Sequence, residues 1–151
     1  MVVAGIHSSM DFTIRAASAS DIPAMHRVRK KVRENRLSSP HRISEASYLP
    51  FIDAGSIWVA ETQSAVVGFA AVDKPAKSVW ALFTDPDAEG AGIGRALHQK
   101  MLRWAKEQRV ERLTLGTQKG TRAAQFYARA GWTEVGATAD GDVLFEIALL
   151  G

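Results

Sequence analysis

The sequence contains no cysteine among its 151 residues. This absence excludes disulfides, cysteine-ligated metals and a thiolate nucleophile, so an acyl group cannot be carried on a cysteine of this chain. The histidines stand at positions 7, 26, 41 and 98, and they show no spacing that places two metal ligands on one helix. We therefore expect no metal site, and we expect His26 and His98 on the surface because charged residues flank both.

Long hydrophobic runs are also missing, so the sequence predicts no membrane-spanning segment. Residues 1–10 lack the charged start and the apolar stretch of a signal peptide, and we expect them to form a flexible leader. Met10 is an alternative to Met1 as the native start. The length fits one domain over residues 11–151, for which we expect a cytoplasmic location.

The positive charge is concentrated in two stretches of a chain whose net charge is +3. From Arg27 to Arg42 there are seven Arg or Lys residues against one acid, Glu34, and a second basic stretch runs from Arg95 to Arg112. Such patches suit an anionic ligand or partner, although a solvated helix face is an equally good interpretation. The polar face of the first helix comprises Arg27, Arg29, Lys30, Lys31 and Arg33.

Apolar periodicity predicts the element order βααβββαβαββ. The predicted strands cover residues 12–15, 57–62, 66–72, 79–84, 112–115, 133–136 and 143–149. Four helices are predicted. The first is capped by Ser20 or Asp21 and ends at Ser38-Ser39-Pro40, and the second covers residues 44–53. The third has a buried face that runs from Ile93 to Ala105, and the fourth is capped by Thr121. This order indicates an α/β (α+β) domain: a mixed, mostly antiparallel sheet of six to seven strands with helices on both faces.

A glycine-rich turn leads from the fourth predicted strand into the third helix. Its glycines alternate with other residues in Glu89-Gly90-Ala91-Gly92-Ile93-Gly94-Arg95. The free N–H groups and the dipole of a helix start attract anions, and glycines let a phosphate or pyrophosphate approach them. A plain tight turn is the alternative, but it would not need the entropic cost of three alternating glycines.

Two other nucleotide-binding motifs do not fit this turn. A nucleoside-triphosphate loop ends in Gly-Lys-Ser/Thr, whereas this segment ends in Gly94-Arg95-Ala96. A dinucleotide fingerprint normally opens the first βα unit of a parallel sheet, whereas these glycines follow three strands predicted to be antiparallel.

The turn resembles the first signature of the GNAT family of N-acetyltransferases, Gln/Arg-x-x-Gly-x-Gly/Ala after the fourth strand. The segment Ala123-Ala124-Gln125-Phe126-Tyr127-Ala128-Arg129-Ala130-Gly131-Trp132 is similar to a second signature of that family. The resemblance covers roughly Phe12 to Leu149, and it implies an acetyltransferase that uses acetyl-CoA as co-substrate.

The resemblance also implies the residues of the cofactor site. The pyrophosphate would lie against Glu89, Gly90, Ala91, Gly92, Ile93, Gly94 and Arg95, and the pantetheine arm would pair with Leu82, Phe83 and Thr84 between two splayed strands. Gly120, Ala123 and Tyr127 would complete the cofactor site. Three residues depart from the family pattern: Glu89 replaces Gln or Arg, Ala91 replaces a frequent basic residue, and Gly120 replaces an Asn that touches the arm.

The resemblance implies a direct attack of a substrate amine on the thioester, with Tyr127 as the general acid for the departing thiolate. A core aromatic is the alternative interpretation of Tyr127. The general base is not identified by the sequence: Glu45, Glu61, His41 and water are all candidates.

The acceptor implied by the resemblance is a primary amine of a small molecule or protein, and the basic first helix favours one that carries negative charge. An aminoacyl-tRNA acceptor is less favoured, because no aromatic residues for base stacking are interleaved with the basic ones. A non-catalytic acyl-CoA-binding regulatory module is a further alternative. The resemblance also implies a homodimer as one possible assembly.

Overall fold

The computed structural model of the protein describes residues 11–33 and 43–150. The leader at 1–10, the candidate base His41 and part of the basic stretch lie outside the described residues. The strands are β1 (Thr13–Ala16), β2 (Ile57–Glu61), β3 (Val66–Asp73), β4 (Ser78–Thr84), β5 (Arg112–Thr117), β6 (Thr133–Ala137) and β7 (Val143–Ala148). The helices are α1 (Ile22–Arg33), α2 (Leu49–Ala54), α3 (Ile93–Glu107) and α4 (Arg122–Arg129). The predicted order of strands and helices is confirmed.

The strands of the described chain form one seven-stranded sheet in the order β1-β2-β3-β4-β5-β7-β6. The pairs β1–β2, β2–β3, β5–β7 and β6–β7 are antiparallel. Strand β4 pairs with β5 in parallel, with Ser78 at the start of β4 opposite Thr114. The prediction of a mixed, mostly antiparallel sheet is therefore confirmed.

The residues divide into two compact units. Among the described residues, one unit holds 11–33, 43–71 and Ala81–Met101, and the other holds Val72–Trp80 and 102–150. The first unit therefore contains β1, β2, most of β3, the end of β4, α1, α2 and the first part of α3. The second contains the start of β4, the end of α3, β5, β6, β7 and α4.

In the first unit, helices cover both faces of β3. A Cβ on Gly68 would lie 2.9 Å from Phe83 O and 3.0 Å from Ile93 Cγ2, so only glycine lets α3 approach this closely. Phe69, the next residue, points to the opposite face, as alternation along a strand requires. There its ring packs 5.8 Å from the Tyr48 ring and 5.6 Å from the Phe83 ring.

Helix α1 is fixed to the edge of the sheet by an ion-paired cluster. The Arg15 guanidinium donates to Asp21 Oδ1 at 2.8 Å and to Glu61 Oε1 at 2.8 Å. Asp21 is buried, and its carboxylate also accepts from the Ser18 N–H at 2.7 Å. Ser18 caps a 3₁₀ turn over Ala19–Asp21 that runs directly into α1. The expected cap at Ser20 or Asp21 was wrong, because the extra turn moves the cap toward the N-terminus.

The second unit is held together by an aromatic cluster between α4 and its strands. The Tyr127 ring lies 5.5 Å from Trp132 and 6.1 Å from Phe145, and all three side chains are buried. Gly131 has a φ of +101° just after α4, as predicted for a residue that ends a helix in the left-handed region. The segment Arg122–Arg129 is thereby anchored through Tyr127.

Candidate active site

The glycine turn joins the end of β4 to the start of α3 through a short 3₁₀ turn over Pro86–Ala88. Asp85 precedes this 3₁₀ turn, and its carboxylate accepts from the Asp87 N–H at 2.9 Å. Gly90 and Gly92 follow, with φ values of +90° and +85°. The Ala96 N–H donates to Gly92 O at 3.0 Å, which makes Gly92 the residue on which α3 begins.

The start of α3 has the form of an anion cradle. Positions 90 and 92 favour glycine because both have a positive φ. A Cβ on either residue would meet nothing within 4 Å, so the space beside them is open. The N–H groups of Ile93, Gly94 and Arg95 have no partner within the helix, because the first turn has no preceding carbonyls. The dipole of the helix Ile93–Glu107 adds partial positive charge at this end. A pyrophosphate fits this combination of open space and aligned donors.

The side chains around the cradle differ in exposure. Ile93 is buried and anchors the helix start, whereas Glu89 and Arg95 are exposed. Thr84 lies beneath the turn, since a Cβ on Gly94 would come within 3.4 Å of Thr84 Oγ1. The structure therefore brings the last residue of β4 and the first turn of α3 together.

Strand β4 is less buried than its neighbour β3. Gly68, Phe69, Ala70, Ala71 and Val72 of β3 are all buried, but Leu82, Phe83 and Thr84 are only half-buried although β4 lies in the interior of the sheet. An interior strand of a sheet covered on both faces is normally buried. The end of β4 therefore has accessible surface just before the cradle.

Gly120, Ala123 and Tyr127 lie in the second unit, at the start of α4 and along it. Gly120 has a φ of +75°, and Thr121 caps the helix by accepting from the Ala124 N–H at 3.2 Å. Ala123 is exposed, whereas Tyr127 is buried. Burial raises the pKa of Tyr127 well above its usual range, so the phenol is protonated at neutral pH.

Residues 53–134, more than half of the chain, match the family described as acetyltransferase (GNAT) domain. The chain belongs to the GNAT family. An uncharacterized N-acetyltransferase of Methanocaldococcus jannaschii is 34% identical over 94 residues, which cover 54% of this chain and 41% of that protein. The chain thus spans less than half the length of this relative.

Solved structures share the GNAT fold of this chain at low sequence identity. The PaiA N-acetyltransferase of Thermoplasma acidophilum, in complex with coenzyme A, has a TM-score of 0.79 and 19% identity, covering 92% of this chain and 99% of that one. The yncA structure from Salmonella typhimurium, a putative acetyltransferase with its cofactor acetyl-CoA, has a TM-score of 0.79 and 17% identity, covering 93% of this chain and 95% of that one.

The candidate bases of this GNAT chain have unequal surroundings. Glu61 is hydrogen-bonded to Arg15, which holds the pKa of its carboxyl below the usual range and weakens it as a base. Glu45 is exposed. Half-buried His26, which the sequence analysis did not consider as a base, lies with Nδ1 3.1 Å from Tyr48 Oη, and burial lowers its pKa, so it is neutral near pH 7.

Two surface expectations were wrong. His98 is 6% exposed, and burial lowers its pKa. Arg29 is 3% exposed, and its guanidinium carbon lies 5.0 Å from the centre of the Phe83 ring. Their spacing was the available signal: Arg29 stands four residues after buried Met25, and His98 three residues before buried Met101.

Within residues 11–33 and 43–150, no three His, Asp or Glu side chains cluster as metal ligands would. Over the same residues, no helix combines the length and apolarity required to cross a membrane.

Proposed function

We propose that this chain is an acetyl-CoA-dependent N-acetyltransferase that transfers an acetyl group directly to a primary amine of a small molecule or protein. The observation that carries the proposal is the open glycine cradle at the start of α3, on a chain of the GNAT family. Gly90 and Gly92 give a pyrophosphate room, and the N–H groups of Ile93, Gly94 and Arg95 supply donors. Solved proteins of similar fold hold coenzyme A or acetyl-CoA.

The exposed charges at the cradle act in opposite directions. The Arg95 side chain adds a positive charge near the phosphates, whereas Glu89 adds a negative one and Ala91 offers no charge. We therefore expect the backbone donors to provide most of the binding, with a small net contribution from these side chains.

When bound, acetyl-CoA supplies an acetyl group activated as a thioester. The backbone of the half-buried residues Leu82, Phe83 and Thr84 would hold the pantetheine arm at the end of β4, beyond the pair Ser78–Thr114 at which β4 and β5 are joined. A backbone N–H of this segment would polarise the thioester carbonyl. Gly120 and Ala123 would contact the arm through backbone and a small side chain, as open space around Gly120 permits.

Tyr127 is the general acid in this proposal. Its phenol is protonated at neutral pH, as a tyrosine ordinarily is, and only this form can donate a proton to the departing thiolate sulfur. The amine nitrogen forms the new bond to the acetyl carbon while the carbon–sulfur bond breaks, and the amine proton leaves to a base or to water. The chain has no cysteine, so no cysteinyl acyl-enzyme precedes this step.

The acceptor proposed for this enzyme carries negative charge. Arg27 and Lys30 are exposed on α1, which gives this helix a cationic face. Such a face attracts an anionic acceptor at long range and loses this effect as salt is added. Family membership also leads us to propose a homodimer, which analytical ultracentrifugation can test.

The cradle is tested by Gly92→Glu, which forces a side chain into a φ of +85° and places a carboxylate where the pyrophosphate should lie. We expect coenzyme A affinity to fall by at least about a hundredfold in titration calorimetry, since strain and like charge combine. The matched control is Gly141→Glu, which adds the same side chain at a φ of +87° with open space around it, in a turn before β7.

Gly141→Glu should bind coenzyme A like the unaltered chain. Equal affinities for Gly92→Glu and the unaltered chain would show that the cradle is not the cofactor site. Activity is tested by screening an amine panel, anionic amines included, for release of free coenzyme A. Tight coenzyme A binding with no release for any amine would instead favour a non-catalytic acyl-CoA-binding module.

A further inference from the structure

One lysine of α1 is bonded to the segment that leads into the glycine turn. Lys31 Nζ donates to Asp85 Oδ1 at 2.8 Å and to Asp87 Oδ2 at 2.9 Å. These carboxylates raise the pKa of Lys31, whose ammonium group is charged at physiological pH in any case. Its neighbour Lys30 is exposed on the same helix and differs from Lys31 in its surroundings rather than in its charge.

Asp85 is the point at which this segment is fixed to the sheet. Its N–H donates to Val67 O at 2.8 Å on β3, and its carboxylate accepts from the Asp87 N–H at 2.9 Å as well as from Lys31. The 3₁₀ turn that follows ends at Ala88, which is buried. The chain between β4 and the cradle is therefore held from one side by β3 and from the other by α1.

The two aspartates also pose an electrostatic problem for an anion site. Asp85 and Asp87 precede Gly90 by only a few residues, and the 3₁₀ turn keeps the chain compact between them. Like charges close to a bound anion weaken its binding. The positive charge of Lys31 offsets the negative charge of both carboxylates, and the two ion pairs tie them to α1.

We propose that Lys31 is a positioning residue for the cofactor: it fixes the entry to the glycine cradle and neutralises its two aspartates, and thereby sets coenzyme A affinity without touching the reacting atoms. This inference rests on the proposed function, because it takes the cradle to be the pyrophosphate site. It gives one lysine of the basic α1 a role in cofactor binding that its neighbours on the exposed face do not share.

The test compares Lys31→Gln with Lys30→Gln, which remove the same charge from adjacent positions of one helix. Titration calorimetry with coenzyme A at low ionic strength should show affinity about three- to tenfold weaker for Lys31→Gln, the range that two partly exposed ion pairs allow. Lys30→Gln should change affinity by less than about twofold, because the charge of an exposed side chain is screened by solvent and salt. Lys31→Arg should restore most of the affinity, since its guanidinium can still bridge the two carboxylates.

A double-mutant cycle separates positioning from general charge. In an Asp85→Asn, Asp87→Asn background, Lys31→Gln should no longer weaken coenzyme A binding, because the groups through which it acts are neutral. With an active acceptor, Lys31→Gln should raise the KM for acetyl-CoA and leave kcat unchanged.

Equal losses for Lys31→Gln and Lys30→Gln would overturn the inference and leave only long-range attraction. A loss that persists in the Asn background would overturn it as well. The Gly92→Glu result distinguishes this failure from failure of the proposed function: if Gly92→Glu abolishes binding while Lys31→Gln equals Lys30→Gln, the cradle stands and only the role of Lys31 is wrong.

Discussion

The helices α3 and α4 both carry predicted cofactor residues at their N-terminal ends, but they begin in different ways. Helix α4 starts with Thr121, whose hydroxyl accepts from the Ala124 N–H at 3.2 Å and donates to Gln118 O at 2.8 Å. Helix α3 starts on Gly92, which has no side chain to offer. A capping side chain satisfies a terminal N–H from within the protein, whereas a glycine leaves it for water or a ligand.

This difference supports our proposal that the start of α3 binds the anion. The cap of α4 uses a donor that an anion would otherwise bind, and the helix covers only Arg122–Arg129. Helix α3 is longer, Ile93–Glu107, and its first donors lie beside two glycines with open space around them. The two helix starts therefore fit our proposal, in which the anion binds at α3 and Tyr127 of α4 donates the proton.

The largest expected effect is that of Tyr127→Phe, which removes the proposed acid from α4. With a confirmed acceptor, kcat should fall about 10²- to 10⁴-fold, the usual contribution of a positioned acid, while coenzyme A affinity stays unchanged. The ring packing against Trp132 and Phe145 is kept, so the fold should survive.

Tyr48→Phe is the matched control, because Tyr48 is the other tyrosine of the sequence and is also buried. It loses a hydroxyl that contacts His26 in the first unit, and its kcat should match that of the unaltered chain. If both variants keep full turnover, Tyr127 packs the core and another group or water protonates the sulfur.

The next effect concerns the cap of α4. Thr121→Ala should lower the free energy of unfolding by about 1 kcal/mol, the usual loss for removing such a cap, as measured by urea denaturation. Thr121→Ser keeps the hydroxyl and should restore most of the stability. Coenzyme A affinity should change far less than in Gly92→Glu, and a comparable loss of affinity would mean that both helix starts serve the ligand.

Much of the fold could be predicted because its local signals are strong. Alternation in the first strand, and apolar runs bounded by turn residues in the others, placed the predicted strands within a few residues of the observed ones, and the caps at Thr121 and Gly131 lie where predicted. The burial of Arg29 was missed because an arginine on an amphipathic helix is usually exposed, although its spacing from Met25 places it on the buried side. Its guanidinium lies against the rings of Tyr48, Phe69 and Phe83, two of which belong to distant strands that the local pattern does not show.

The candidate site was predicted unevenly for a related physical reason. The glycine turn is contiguous, so its residues can be recognised together from the sequence. The contact of Lys31 with Asp85 joins residues 54 positions apart, and nothing in the local pattern distinguishes Lys31 from Lys30. The ion pair that weakens Glu61 as a base also depends on a distant partner, Arg15.

The smallest effect should come from the exposed side chain of the α3 start. Arg95→Gln should weaken coenzyme A binding by only about two- to fivefold at low salt, because an exposed charge adds little to donors fixed in the backbone. Arg103→Gln, two turns further along the exposed side of α3, is the matched control and should leave the affinity unchanged. Raising the salt concentration should erase the difference between the two variants, since exposed charges are screened. A loss for Arg95→Gln as large as that for Gly92→Glu would show that the Arg95 side chain, and not the backbone of α3, makes the main contact with the anion. The start of α3 would then differ from the start of α4 by an arginine and not by the missing cap.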